Sequence, residues 1–167
     1  MSAELTLPRW LKSANRVVIA LQRRGLVLGT MRILAVPGRV TGELRATPVS
    51  PLEVHGQLYV VAGLDGADWV KNARAAGWGV LARGRREERV TMVELPPAER
   101  VPVLRAFPRL VPGGIPFFRR LYDLPDDPAA LPDAFAALAP RCPVFRLDPA
   151  GEADAQAGPG KYTGSVG

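Results

Sequence analysis

Two stretches of the chain bring side chains capable of chemistry close together. The first is PGRVTGELRATP, residues 37–48, which sets Arg39 and Arg45 around Gly38 and Gly42 and adds the hydroxyls of Thr41 and Thr47. If residues 43–49 form a strand, a period of two places Glu43, Arg45 and Thr47 on one face. Arg45 and Thr47 then project the same way, just beyond a loop that carries Arg39 and Thr41. Guanidinium groups match phosphate and carboxylate oxygens in pairs. Successive backbone N–H groups in a glycine-containing turn add a concavity for an anion. The chemistry to expect is anion binding, with a solvated surface hairpin as the plain alternative.

The second stretch is VVAGLDGADWVKNA, residues 60–73. A strand ends at Ala62-Gly63, where the lack of bulk lets a planar ligand approach the backbone. A helix follows, and Trp69 and Asn72, three apart, share one of its faces. Singly, Trp69 reads as a core residue and Asn72 as a polar group satisfied by backbone. Their pairing with the first stretch favours a ligand wall. Elsewhere the chain has no nucleophile elbow and no Walker loop. His55 stands alone at a turn, and Cys142 beside Pro143 reads as a small buried hydrophobe. With no side chains arranged for acid, base or covalent work, the hard chemistry falls to a cofactor.

The composition agrees. A chain of 167 residues with 47% hydrophobic and 23% charged residues is long enough for a real core. One cysteine permits no internal disulfide, and one histidine removes most zinc and iron schemes; a reducing cytoplasm is the expected compartment. There is no spanning segment, and Pro8, Arg9, Lys12 and Arg16 break up any signal-peptide core. The net charge of +6 is almost wholly arginine. It suits a phosphate-bearing small molecule, nucleic acid or an anionic membrane surface. Nucleic acid ranks low, because the Arg83, Arg85, Arg86, Arg89 cluster lies in a hairpin turn without aromatics.

The elements that must position these residues are mainly β with flanking helices (α+β). Residues 8–24 read as a helix with Leu7, Leu11, Ala14, Val18 and Leu21 on one side. Packing on a core is its first reading, and weak peripheral contact with the inner face of a membrane is its second. About five antiparallel strands are expected over 30–95, closing as a small barrel. One helix over 67–76 interrupts them, with Asp65 as candidate N-cap and Gly77 as stop. Short helices cut by prolines follow over 96–139, then a final strand at 142–147. That makes 1–147 one domain, with 148–167 as a disordered tail.

Taken in order, GRVTGELRATP, a strand, AG…DWVKNARAAG and PVFRL resemble the deazaflavin-dependent nitroreductase family, over about residues 10–147. The resemblance implies a small antiparallel split β-barrel of the flavin-reductase and pyridoxamine-phosphate-oxidase-like kind. It implies an oxidoreductase that passes a hydride from reduced coenzyme F-420, an 8-hydroxy-5-deazaflavin, to an electron-poor quinone, enone or nitro compound. By position, Arg39, Thr41, Gly42 and Arg45 are similar to the residues at the phosphate and the acidic glutamyl tail. Thr47 and Pro48 would lie beside the ring, Ala62 and Gly63 would line it, and Trp69 and Asn72 would wall it in. Val40 stands where the family has a second basic residue, and Gly63-Leu64 where many members have Ser-Lys. Phe117, Phe118 and Tyr122 are candidates for the acceptor side, with core packing as the alternative. The competing readings are the same fold holding FMN or another planar ligand, and a carrier without turnover. The assembly is expected to be a monomer or a homodimer.

Overall fold

The apolar and β-branched runs in the middle of the chain form strands that pair antiparallel throughout. The computed structural model describes residues 31–83 and 86–150; the helix expected over 8–24 and the chain beyond 150 lie outside them. The strands are β1 (Arg32–Pro37), β2 (Leu44–Val49), β3 (Leu52–Val54), β4 (Gln57–Val61), β5 (Trp78–Arg83), β6 (Arg86–Glu94) and β7 (Val144–Pro149). They make one seven-stranded sheet in the order β2-β1-β5-β6-β7-β4-β3.

That order dictates curvature. β2 and β3 are the two edges, yet only Ser50 and Pro51 join them. A flat sheet of this width would hold its edges about 29 Å apart at the usual strand spacing. The link from Val49 to Leu52 reaches at most about 11 Å. The sheet therefore curls until its edges meet, without a ladder between them, and this is the split of the barrel. The expectation of about five strands missed β3, a three-residue strand directly after Ser50-Pro51.

The two faces of the curl hold separate cores. The inner face gathers Leu34, Val36, Val49, Val60, Leu81, Val90, Met92, Phe145 and Leu147, and helix α1 (Asp68–Ala76) adds Val70 and Ala73. Outside, beside β3, β4 and the start of β7, pack helices α2 (Pro97–Leu110), α3 (Ile115–Leu121) and α4 (Leu131–Ala136). Their core contains Val103, Leu104, Phe107, Phe118, Leu131 and Phe135 together with Leu52 and Val144. Alternation along β7 serves both cores, Val144 outward and Phe145 inward. Helix α2 continues through Pro102 and Pro108 rather than ending at them.

Three sequence-based boundaries shift. Helix α1 begins at Asp68, and its N-cap is Ala67 without a side-chain cap, not Asp65. Asp65 is drawn away to Arg74, whose Nη2 donates to it at 2.7 Å. Gly77 does end the helix, in the left-handed region at φ 73°. The last strand starts at Val144 rather than Cys142, because Cys142 N–H donates to Leu138 in the helical core. It then runs on through Asp148 and Pro149, paired with Thr91 and Val90, so residues 148 and 149 are strand rather than tail.

An ion cluster ties α1 to the rest. Arg74 reaches Asp65 and both carboxylate oxygens of Glu94, and the buried Arg100 reaches Glu94 and the carbonyls of Leu95 and Ala139. The hydrogen bond from Arg74 holds the Glu94 carboxyl below its ordinary value of 4.5. A carboxyl held low lends stability above that value and loses it as pH falls through the folded-state value. Glu94→Gln should therefore melt below wild type at pH 7, with the difference shrinking below about pH 4.5 in thermal melts. A gap that stayed constant across that range would remove the ionic contribution.

Candidate functional site

The loop after β1 is closed at its base. Gly38 N–H donates to Glu43 O at 2.7 Å, and Gly42 N–H donates to Gly38 O at 2.8 Å. Gly42 has φ 74°, a conformation that a side chain would strain. Thr41 Oγ1 accepts from Glu43 N–H at 3.3 Å, leaving its hydroxyl proton to point elsewhere.

The loop is riveted to helix α1. Asn72, buried at 4% exposure, accepts on Oδ1 from the backbone N–H of Arg39 at 3.1 Å and from Arg39 Nη1 at 2.8 Å. Arg39 Nη2 pairs with Asp68 Oδ1 at 3.3 Å. The two stretches singled out in the sequence thus meet, through Arg39. Asn72 acts as the clamp on the loop, not as a polar group satisfied by local backbone. Asp68 was missed, although an acidic residue four before Asn72 in a helix lies on the same face.

Around this clamp a set of donors stays open. Arg45, on edge strand β2, lies with Nε 3.2 Å from where a Cβ on Gly38 would stand. Among the described residues its guanidinium has no hydrogen-bond or ion-pair partner, and neither do the backbone N–H groups of Val40 and Thr41. Val40 at the tip is 89% exposed. Thr47 is half-buried on the same strand face as Arg45, opposite Leu34, whereas Pro48 pairs with Ile33 and faces the other way. Trp69 on α1 packs against the inner core, its ring 5.7 Å from that of Phe145.

The strand end at Ala62-Gly63 meets protein. Ala62 is buried and its N–H donates to Pro143 O at 2.9 Å. A Cβ on Gly63 would stand 2.5 Å from Phe117 Cε1 and 2.9 Å from Leu121 Cδ1, so α3 occupies the space above it. Tyr122 donates its hydroxyl to Gly63 O at 2.6 Å, with Cys142 Sγ 3.7 Å from the same hydroxyl. Burial first, then the contact with Cys142, pushes the Tyr122 phenol up to about 12, and burial also raises the Cys142 thiol. Of the acceptor-side candidates, Phe117 and Tyr122 are brought to Gly63. Phe118 instead turns into the helical core, 5.0 Å from the ring of Phe107 and 5.1 Å from that of Phe135.

The basic hairpin also differs from its sequence reading. Arg89 lies over the indole of Trp78, 4.3 Å from the ring centre, so the cluster does have an aromatic neighbour, supplied by the facing strand.

An antiparallel sheet curled until its edges meet, with the loop after β1 pinned to a helix, is a split-barrel fold. Similar folds include a pyridoxamine 5′-phosphate oxidase-related, FMN-binding protein from Nostoc punctiforme, at 15% identity and TM-score 0.52, covering 86% of this chain and 82% of that one. A conserved hypothetical protein from Mycobacterium tuberculosis matches at 11% identity and TM-score 0.53, covering 78% and 79%. A structure described as a domain-swapped dimer matches at 18% identity and TM-score 0.50, covering 83% and 96%. No curated protein sequence matches the chain. The family model for F420H(2)-dependent quinone reductase matches residues 12–113, and the chain belongs to that family. It is an oxidoreductase, and its cofactor is coenzyme F-420.

The residues present fit that cofactor. A phosphate with an acidic tail needs fixed cations and N–H donors. Arg45, the N–H groups of Val40 and Thr41, and the hydroxyl proton of Thr41, which have no partner among the described residues, form such a donor set beside Arg39.

Proposed function

We propose that this chain reduces a small apolar quinone, with the loop at 38–43 and Arg45 gripping the anionic tail of F-420 and α1 flanking its ring. When bound, the reduced cofactor supplies a hydride from its deazaflavin ring. The observation that carries the reading is the division of labour in the loop. Asn72 fixes Arg39 by two hydrogen bonds, while Arg45 and two loop N–H groups have no partner among the described residues. Thr41 and Gly42 shape that loop, Thr47 lies next along the strand from Arg45, and Trp69 lends an apolar wall. Asn72 is a positioning residue in this scheme, because it acts through Arg39.

Leu64 and Phe117, 48% and 51% exposed, offer apolar surface beside Gly63 for an acceptor ring. Tyr122 keeps its proton across the neutral range and donates it to the Gly63 carbonyl, so it holds the strand end rather than feeding protons to an acceptor. The acceptor's proton then comes from solvent. Residues 1–147 act as one domain in this reading. A homodimer is the assembly supported by the domain-swapped relative, and a reducing cytoplasm suits the lone buried Cys142. Among the described residues no helix is long and apolar enough to cross a membrane.

The test is a pair of titrations followed by turnover. F-420 should bind with a dissociation constant on the order of micromolar, more tightly than FMN. Reduced F-420 should be oxidised without oxygen when a simple benzoquinone or naphthoquinone is added. Tighter binding of FMN, or no oxidation by any quinone, would overturn the reading.

A further inference from the structure

We infer that Asp68 is a built-in competitor for Arg39, which the cofactor's anionic tail must displace, and that Asp68 thereby sets the affinity and the selectivity of the loop for anionic ligands. The inference rests on the proposed role of the loop as the tail site. Arg39 uses its two terminal nitrogens differently. Nη1 sits 2.8 Å from the buried Asn72 oxygen, which also takes the Arg39 backbone N–H. Nη2 sits 3.3 Å from Asp68 Oδ1, long for a charge-assisted contact, which usually falls near 2.7–2.9 Å. The Asp68 side chain is 85% exposed and that of Arg39 38%. Pairs so exposed are weakly held and easily exchanged.

The consequence is a switch that needs no movement of the loop. The backbone of Arg39 stays on Asn72 while Nη2 changes partner from Asp68 to a ligand oxygen. Position 40, at the loop tip, is an exposed valine and brings no charge to compensate Asp68. A ligand with a strong fixed anion can take Arg39 from Asp68. A neutral ring gains nothing from that exchange. Asp68 also occupies the first turn of α1, where a negative charge favours the helix. Its two roles therefore oppose one another: it supports the fold of α1 and weakens the grip on the tail.

The experiment titrates oxidised F-420, and separately its ring without the phosphate and glutamyl tail, into wild type, Asp68→Asn, Glu43→Gln and Arg45→Ala, following fluorescence. Glu43 is an exposed acid on the same loop that forms no ion pair or hydrogen bond with Arg39, so it controls for charge alone. Asp68→Asn should bind F-420 about three- to tenfold more tightly, and more so than Glu43→Gln. The gain should fade at about 0.5 M salt. The tail-less ring should bind Asp68→Asn as it binds wild type, and the ligand-free Tm of Asp68→Asn should be unchanged or lower. If F-420 binds Asp68→Asn no better than wild type while Arg45→Ala still weakens it, Asp68 is only a helix-terminal acid and the inference falls. An equal gain in Glu43→Gln, or an equal gain for the tail-less ring, overturns it too. If Arg45→Ala also binds as wild type, the tail site itself is wrong, and the inference falls with it.

Discussion

Replacing Arg45 with alanine should weaken F-420 binding by about tenfold or more while leaving the melting temperature of the free protein within a degree or two. Charge-assisted contacts to phosphate contribute about 1.5–3 kcal/mol each when well formed, and each 1.4 kcal/mol is about tenfold. The fold has little to lose, since Arg45 is exposed on an edge strand and has no partner among the described residues. Raised salt should narrow the gap between variant and wild type. Val40→Lys should move affinity the other way, most clearly for cofactor with a long glutamyl tail. The exposure of Val40 removes the alternative that it packs beneath the turn, so lysine there displaces no core. Titration of the three proteins at two salt concentrations checks this.

Phe135→Ala should cost about 3–5 kcal/mol of stability, read as the loss in unfolding free energy by denaturant titration. Phe135 is fully buried, its ring 5.3 Å from that of Phe107 and 5.1 Å from that of Phe118. Removing it takes out the centre of an aromatic cluster on which α2, α3 and α4 all pack. Single domains of this size have roughly 5–15 kcal/mol in total, so the variant should lie near its unfolding midpoint at modest urea. Helix α3 also carries Phe117 over Gly63. A loss below about 1 kcal/mol would mean that the helical layer is not a packed core.

How much of this was legible in the sequence depends on the kind of signal. The association of loop and helix could be read only from the pair, because PGRVTG alone suits a surface hairpin and DWVKN alone suits a core helix, whereas together they favour a common partner. A small antiparallel barrel followed from short alternating runs, and its split form was implied by the ordered family motifs. Strand β3 was not legible, since three residues after Ser50-Pro51 give no period to read. With β3 missing, the two-residue link that forces the sheet to curl was invisible as well. Gly63 was ambiguous in principle: missing bulk admits a ligand or a neighbouring side chain equally, and here Phe117 and Leu121 take the space. Adjacent Phe117 and Phe118 are about a hundred degrees apart on a helix, and only packing decides which turns inward. Trp78 under Arg89 lay across a ladder, beyond the reach of a pattern read along one turn. Asp68 gave no signal of its own, since an anionic ligand points to cations rather than to an acid paired with one of them.

The central claim is that the loop at 38–43, with Arg45, holds the anionic tail of F-420. Its most direct test compares one ring with and without that tail. Wild type should bind intact F-420 at least about tenfold more tightly than the same deazaflavin lacking phosphate and glutamates, and Arg45→Ala should bring the two affinities together. Equal affinities for the two ligands in wild type, or a tail preference that survives in Arg45→Ala unchanged, would contradict it.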